Sequence, residues 1–98
     1  MNNIRPIHPG EILREEMEAL NLSANRFAIK LHVPPNRISA ILKGARSITA
    51  DTALRLSRFF GTSPEFWLNL QNAYDLKLTE KEVGRQIDRE VKPSDNAA

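Results

Sequence analysis

Twenty residues near the middle of the chain, from Ala24 to Lys43, constrain its fold more than any other stretch. They read ANRFAIKLHVPPNRISAILK, two short segments of helical apolar spacing joined by a turn with two prolines. Ala28 stands where two helices would cross, and it must be small because the second helix packs on its Cβ. The apolar residues then fall on the inner faces of both helices and in the turn, at Phe27, Leu31, Val33, Ile38 and Ile41. This spacing is typical of a helix-turn-helix, whose second helix enters the major groove of DNA.

The polar residues that this arrangement leaves outside point in one direction. They are Asn36, Arg37, Ser39 and Lys43. The sequence therefore predicts that these side chains face DNA. The same spacing also fits an αα-corner inside an ordinary helical bundle, and the motif alone leaves both interpretations open.

Positive charge is concentrated on the same stretch, although the whole chain carries a net charge of only +2. Residues 26–58 contain seven Lys or Arg against one Asp, a net charge of +6. Residues 1–25 have two Arg against four Glu, and residues 59–98 have five bases against seven acids, so each of these parts has a net charge of −2. A polyanion would be steered to the central stretch. The alternative is that this stretch is a solvated Arg-rich surface with no anionic partner. Because the positive charge coincides with the helix-turn-helix motif, a polyanion partner is favoured.

The residue types that would support other classes of function are missing or wrongly spaced. The 98 residues include no cysteine, which excludes disulfides and thiolate metal sites. The two histidines, His8 and His32, are not spaced as a ligand pair, and no Gly-rich phosphate loop occurs. No apolar run approaches the ~18 residues of a membrane span, and the N-terminus lacks the apolar stretch of a signal peptide. We therefore expect one cytoplasmic, non-enzymatic domain without a metal, a cofactor or a membrane contact.

Helix signals divide the chain into a flexible N-terminal arm (1–8), an all-α domain of five helices (9–78) and a charged, partly disordered tail (79–98). Pro9 opens the first helix, and side-chain N-caps begin three of the others. The N-caps are Ser23, Thr49 and Ser63, and the stops of the third and fourth helices are Gly44 and Gly61. His32 is expected at positive φ in the turn. Because Pro34 stands where Ser or Thr usually caps, the third helix is expected to lack a side-chain cap.

Each polar residue of the motif has an expected role on DNA. Arg37 is placed to donate two hydrogen bonds to a guanine, and Asn36 to read an adenine or hold a phosphate. Ser39 is short enough to let the backbone approach. Basic residues after the third helix and residues at the start of the second helix are expected to contact DNA phosphates. The predicted DNA-binding set is Asn25, Arg26, Pro35, Asn36, Arg37, Ser39, Lys43 and Arg46.

The fourth and fifth helices carry the remaining apolar residues. Ala53, Leu54, Leu56, Ser57 and Phe60 are expected to face the core from the fourth helix, and Phe66, Trp67, Leu70, Ala73, Tyr74 and Leu78 from the fifth. Leu68 and Leu76 fall outside this stripe, as single exposed leucines or as part of a two-fold dimer interface. The predicted dimer set is Phe66, Leu68, Leu70, Tyr74 and Leu76, and a dimer would read a pseudo-palindrome. The segment after Thr79 is a frayed helix or a partner-binding segment.

Four strings, HPGEIL, NRIS, ITADTALRL and GTSPEFWLNLQ, make residues 4–76 resemble the HigA antitoxin family, a branch of the Xre-type (lambda-repressor-like) helix-turn-helix proteins. The resemblance implies a five-helix, DNA-binding antitoxin. It also implies a HigB-like toxin partner, a RelE-like ribonuclease that cleaves ribosome-associated mRNA, and repression of its own operon by a homodimer on double-stranded operator DNA. His32 and Pro34-Pro35 depart from the family pattern, which bears on DNA sequence preference and on the start of the third helix.

A toxin of this kind, whose surface is basic, would be attracted to the acidic face of the first helix together with the arm. The predicted toxin-binding set is Ile4, Ile7, Glu11, Glu15 and Glu18. The alternative toxin site is the charged tail after Thr79. Two other functions stay open from the residues themselves: a stand-alone or phage-like transcriptional repressor without a toxin, and a helical adaptor that binds only proteins.

Overall fold

A computed structural model describes residues 5–95, and within that range the chain forms five α-helices and no strand. The helices are α1 (Pro9–Ala19), α2 (Ala24–Leu31), α3 (Pro35–Leu42), α4 (Ala50–Phe60) and α5 (Pro64–Glu90). The predicted all-α, five-helix architecture is confirmed.

The helix ends follow the local sequence signals. The hydroxyls of Ser23, Thr49 and Ser63 accept hydrogen bonds from the N–H groups of Arg26, Thr52 and Phe66. His32 ends α2 at φ 58°, and Gly61 ends α4 at φ 75°. Pro34 precedes α3 without a side-chain cap, as expected. The first helix has an unexpected cap, because Nδ1 of His8 accepts a hydrogen bond from the Gly10 N–H at 2.9 Å.

All five helices contribute to one core, in which Ala28 and the predicted inner residues of α2 and α3 are buried. The buried apolar side chains are Leu13, Met17, Phe27, Ala28, Leu31, Ile38, Ile41, Ile48, Ala53, Leu56 and Trp67. Helix α3 packs against both α1 and α2, and α5 packs against α4 and α1. The recognition-type helix is thus supported from two sides, and its remaining surface faces outward.

Gly10 allows α1 to lie directly on the C-terminal end of α3. A Cβ atom at position 10 would collide with the backbone carbonyl oxygen of Ile41. The glycine is therefore required for space rather than for an unusual backbone conformation. This close approach of two backbones fixes how α3 is presented to solvent.

Two of the predicted apolar faces contain residues that are exposed in the structure, and each leaves out a polar residue that is buried. On α4, Leu54 is 60% exposed and Thr52 is buried instead. On α5, Phe66 and Ala73 are exposed, whereas Gln71 is buried. Sequence reasoning counts Gln as a surface residue, but here its hydrogen bonds make burial favourable. Its Oε1 accepts from the Ile48 N–H at 2.7 Å, and its Nε2 donates to Asp75 at 3.0 Å.

Helix α5 does not end at Leu78, where the domain was expected to end. Its 27 residues make it about 40 Å long, and it continues through residues predicted as a tail. Beyond Leu78 its side chains are exposed except for the half-buried Val83 and Gly84. The described part of the chain is accordingly elongated, 53 × 25 × 22 Å. The second half of α5 projects from the core as a single helix.

Candidate nucleic-acid interface

The outer face of α3 is made of small and polar side chains. Ile38 and Ile41 point into the core, so helical spacing places Asn36, Ser39, Ala40 and Lys43 on the opposite side. Asn36 and Lys43 are exposed, and Ser39 is half-buried against its own helix. The Ser39 hydroxyl donates to the carbonyl oxygens of Pro35 and Asn36, at 3.3 and 3.4 Å. No bulky side chain on this face keeps the α3 backbone away from a groove.

Arg37 does not join this face, in contrast to the sequence-based expectation. It lies on the flank of α3, where only 21% of its side chain is exposed. Its Nη1 donates to Oδ1 of Asp51 at 2.7 Å. Its Nε is buried and has no hydrogen-bond partner among the described residues. Whether Arg37 reaches a base stays a prediction, and in the free protein its guanidinium is held by α4.

Asp51 connects three elements around the turn of the motif. Its Oδ1 also accepts a hydrogen bond from Nε of Arg55 at 2.7 Å. Nη1 of Arg55 donates in turn to the carbonyl oxygens of Leu31 and His32, at 2.9 and 3.3 Å. These two bonds, first from Arg55 and then from Arg37, lower the pKa of the Asp51 carboxyl below its usual value. We call Arg37, Asp51 and Arg55 the Asp51 cluster; it joins the end of α2, the first turn of α3 and the first turns of α4.

The other basic residues of the central stretch are free to meet an anion. Arg26, Lys30, Lys43, Arg46 and Arg58 are exposed and form no ion pair within residues 5–95. Arg26 lies with Asn25 in the first turn of α2, Lys43 directly follows α3, and Arg46 lies in the loop before α4. The predicted phosphate-contacting residues therefore stand at the beginning of α2 and at the end of α3.

His8 fastens the N-terminal segment to this region. Its imidazole is buried, caps α1 and lies edge-to-face against the Tyr74 ring at 4.9 Å. Burial lowers the pKa of the His8 imidazole below its usual value, whereas the Asp75 carboxylate and the Arg46 backbone act in the opposite direction. The His8 ring also lies 3.8 Å from where a Cβ atom would stand at Gly44, so His8 borders the loop that carries Arg46, a predicted phosphate contact. Sequence reasoning placed this residue in an arm and gave it no role.

The predicted toxin-binding residues are only partly available. Ile4 lies outside the described residues, and Ile7 is exposed. Arg5 pairs with both carboxylate oxygens of Glu11, at 2.8 and 2.9 Å. This pairing lowers the pKa of the Glu11 carboxyl and offsets its charge. Of the three predicted toxin-binding acids, Glu15 and Glu18 form no ion pair within residues 5–95.

The predicted dimer residues separate into two groups. Leu68 and Leu70 are half-buried against the core, and Tyr74 packs on His8. Phe66 and Leu76 are exposed, Leu76 by 65%. Helical spacing places Leu76 on one side of α5 together with Val83 and Ile87, roughly opposite Trp67. The apolar stripe that nothing within the described residues covers is therefore farther along α5 than predicted.

Neither a metal-binding cluster nor a membrane-spanning helix occurs between residues 5 and 95. No three or more His, Asp and Glu side chains are grouped so that they could hold a metal ion. None of the helices there is both long enough and apolar enough to cross a membrane.

The chain matches known proteins over this whole arrangement. A family model described as helix-turn-helix covers residues 13–67. The structure of an addiction module antidote protein of the HigA family from Coxiella burnetii superposes with a TM-score of 0.90 at 63% identity, over 93% of this chain and 100% of that one. The antitoxin HigA of Pseudomonas aeruginosa, solved with the higBA promoter, superposes with a TM-score of 0.88 at 43% identity, over 91% and 98% of the two chains.

A curated relative extends the similarity at the level of sequence. Virulence-associated protein I of Dichelobacter nodosus is 55% identical over 83% of this chain and 76% of its own length. The family resemblance drawn from HPGEIL, NRIS, ITADTALRL and GTSPEFWLNLQ is thus confirmed. On these matches, and with a helix-turn-helix that presents an unobstructed α3, the chain belongs to the HigA family of antitoxins, within the Xre-like DNA-binding proteins.

Proposed function

We propose that this chain represses its own toxin–antitoxin operon by binding an operator in the promoter, and that it neutralises a HigB-like mRNA-cleaving toxin in the cytoplasm. One observation carries the DNA-binding part. The outer face of α3 is open and made of small and polar side chains, and basic side chains that form no ion pair within residues 5–95 lie at its end. The P. aeruginosa HigA structure, in which a similar chain was solved with promoter DNA, supports the same part. Toxin neutralisation follows from membership of the family.

On DNA, α3 lies in the major groove with Asn36 and Ser39 facing base edges. Arg26, at the start of α2, and Lys43 and Arg46, at the end of α3, hold the flanking phosphates. Pro35 sits at the first position of α3, where its lack of an N–H costs no hydrogen bond. Phosphate contacts fix the position of the helix, and base contacts then choose the sequence.

A two-fold dimer would place two such helices on a pseudo-palindrome, about 34 Å apart or a multiple of that. The stripe formed by the exposed Leu76 and Ile87 and the half-buried Val83 is the apolar surface that best fits a second copy, with Phe66 as a further contact. Changing Ile87 to Asp should weaken the dimer and leave the monomer fold unchanged, because Ile87 touches no core residue. Sedimentation of the variant, with Arg85→Glu on the opposite side of α5 as control, tests this assignment.

DNA binding is tested by fluorescence anisotropy with a duplex from the promoter of its own operon and a scrambled duplex, at two salt concentrations. We expect selective binding with a steep salt dependence. The double variant Lys43→Ala/Arg46→Ala should weaken binding to both duplexes and reduce the salt slope by about 2. Lys81→Ala, which removes an exposed charge from the far half of α5, should change neither. Equal, weak binding of the wild-type chain to both duplexes would contradict operator recognition.

The toxin site is tested by co-purification with the toxin encoded beside this chain. The deletion should cover residues 1–7 and keep His8, because the His8 side chain caps α1. That deletion, combined with Glu15→Lys, should reduce toxin retention if the toxin binds the acidic face of α1. Glu82→Lys serves as the control. Loss of the toxin with Glu82→Lys alone would assign the site to α5.

A further inference from the structure

We propose that Asp51 is a specificity-determining positioning residue for DNA recognition: it holds Arg37 in one orientation at the edge of α3 and keeps its charge from non-selective phosphate contacts. The inference rests on the proposed operator function and deepens it. Asp51 lies on α4 and not on the recognition helix. Its influence on DNA would therefore be exerted through Arg37.

The first step is the restriction of Arg37. The buried Nε and the 21% exposure of the side chain show that most of the Arg37 side chain is enclosed by the protein. Nη1 is held by the Asp51 carboxylate, and Nη2 donates no hydrogen bond within residues 5–95. The free edge of the guanidinium is consequently presented from a fixed position. An unrestrained arginine would instead sample many rotamers and pair with whichever phosphate lies nearest.

The second step is the anchoring of Asp51 itself. The oxygen that binds Arg37 is shared with Nε of Arg55, one helical turn farther along α4. Arg55 is in turn tied to the carbonyl oxygens at the end of α2. The carboxylate is thus positioned relative to the turn of the motif. Asp51 therefore orients Arg37 relative to the turn that leads into α3.

The third step is electrostatic. One carboxylate shared by two guanidinium groups offsets part of their charge at a surface expected to approach a polyanion. This reduces the sequence-independent attraction, which comes from phosphates. Sequence information comes instead from base edges. Asp51 should therefore weaken binding to random DNA while strengthening the preference for the operator.

The experiment compares the dissociation constants for the promoter duplex and the scrambled duplex among wild type, Asp51→Asn, Arg37→Ala and the double variant. Asp51→Asn should lower the selectivity ratio, the dissociation constant for the scrambled duplex divided by that for the promoter duplex, roughly tenfold, the size expected when one bidentate base contact is lost. Binding to scrambled DNA should tighten by about threefold, as expected when a negative charge is removed near phosphates. In the Arg37→Ala background, Asp51→Asn should change the ratio less than about twofold, because coupled residues are non-additive.

Three further measurements separate positioning from folding and from simple charge. Asp51→Glu keeps the carboxylate and should retain most of the selectivity. Glu65→Gln removes a charge from the first turn of another helix and should leave the ratio unchanged. The ¹⁵N-coupled Nε–H signal of Arg37 should be sharp in the wild type and broadened in Asp51→Asn. A merely structural role for Asp51 would alter thermal unfolding without changing the DNA ratio.

The outcomes are distinguishable. An unchanged ratio in Asp51→Asn, or the same loss with and without Arg37, would overturn the positioning role while leaving operator binding intact. If the wild-type chain itself shows no preference for the promoter duplex, the proposed function fails and the inference fails with it.

Discussion

Helix α3 and the second half of α5 are both largely solvent-facing, yet they are held in opposite ways. Helix α3 has eight residues, two of them fully buried, and it is fixed by the backbone contact at Gly10 and by the Asp51 cluster. Residues 79–90 of α5 bury no side chain completely, and a side-chain hydrogen bond within this part joins Gln86 to Glu90. Isolated helices of this length are marginal in water. A short helix can thus be rigid where tertiary contacts hold it, and a long one loosely held where they end.

The largest expected effect comes from a pair of glycine substitutions. Gly10→Ala forces a methyl group against the Ile41 carbonyl and should lower the free energy of unfolding by about 3 kcal/mol, the upper part of the usual range for overpacking. Gly84→Ala, where the new Cβ would lie 3.7 Å from the Cβ of Glu80, should stabilise α5 by about 0.5–1 kcal/mol. Urea denaturation measures both. Equal effects of the two substitutions would remove the contrast between the helices.

The next effect concerns the two glutamines of α5. Gln71→Leu leaves the buried Ile48 N–H without its acceptor and should cost about 1–3 kcal/mol. Gln86→Leu removes an exposed hydrogen bond to Glu90 and should change stability by less than about 0.5 kcal/mol. Thermal unfolding of the two variants compares them directly. A large loss for Gln86→Leu would show that the far half of α5 is more tightly coupled than its burial indicates.

The smallest effect is a pH dependence confined to the anchored half. Because the pKa of His8 is lowered by burial, the unfolded chain takes up the proton more readily than the folded one. Stability from this group is complete above about pH 6.5, the unfolded value, and is lost as pH falls through that value towards the folded pKa. Urea midpoints between pH 5 and 8 should fall with acid, and the slope should shrink in His8→Asn. Hydrogen exchange should show the loss in α1 and α3 and not in residues 79–90.

The sequence was informative where a structure depends on neighbours in the chain. Ser23, Thr49 and Ser63 cap helices because their hydroxyls reach N–H groups three residues away. His32 takes the left-handed conformation that the turn requires. The outward direction of α3 followed in the same way, from apolar spacing alone.

What could not be predicted depends on groups far apart in the chain. Arg37 and Asp51 are fourteen positions apart, and their pairing depends on how the core places the first turn of α4 relative to the first turn of α3. Gln71 and Ile48 are separated by twenty-three positions, and only the assembled core shows why an amide is buried there. Such contacts need the crossing geometry of helices, which periodicity does not contain.

The hydrogen bonds of Ser39 have a consequence for base preference. Its single hydroxyl proton is directed at carbonyl oxygens within α3, so the side chain offers only lone pairs to a groove. In the major groove, the amino groups of adenine and cytosine are the donors that match lone pairs, whereas guanine N7 and O6 and thymine O4 are themselves acceptors. As long as that internal bond persists, Ser39 should favour an amino-bearing base and disfavour a guanine or thymine edge facing it.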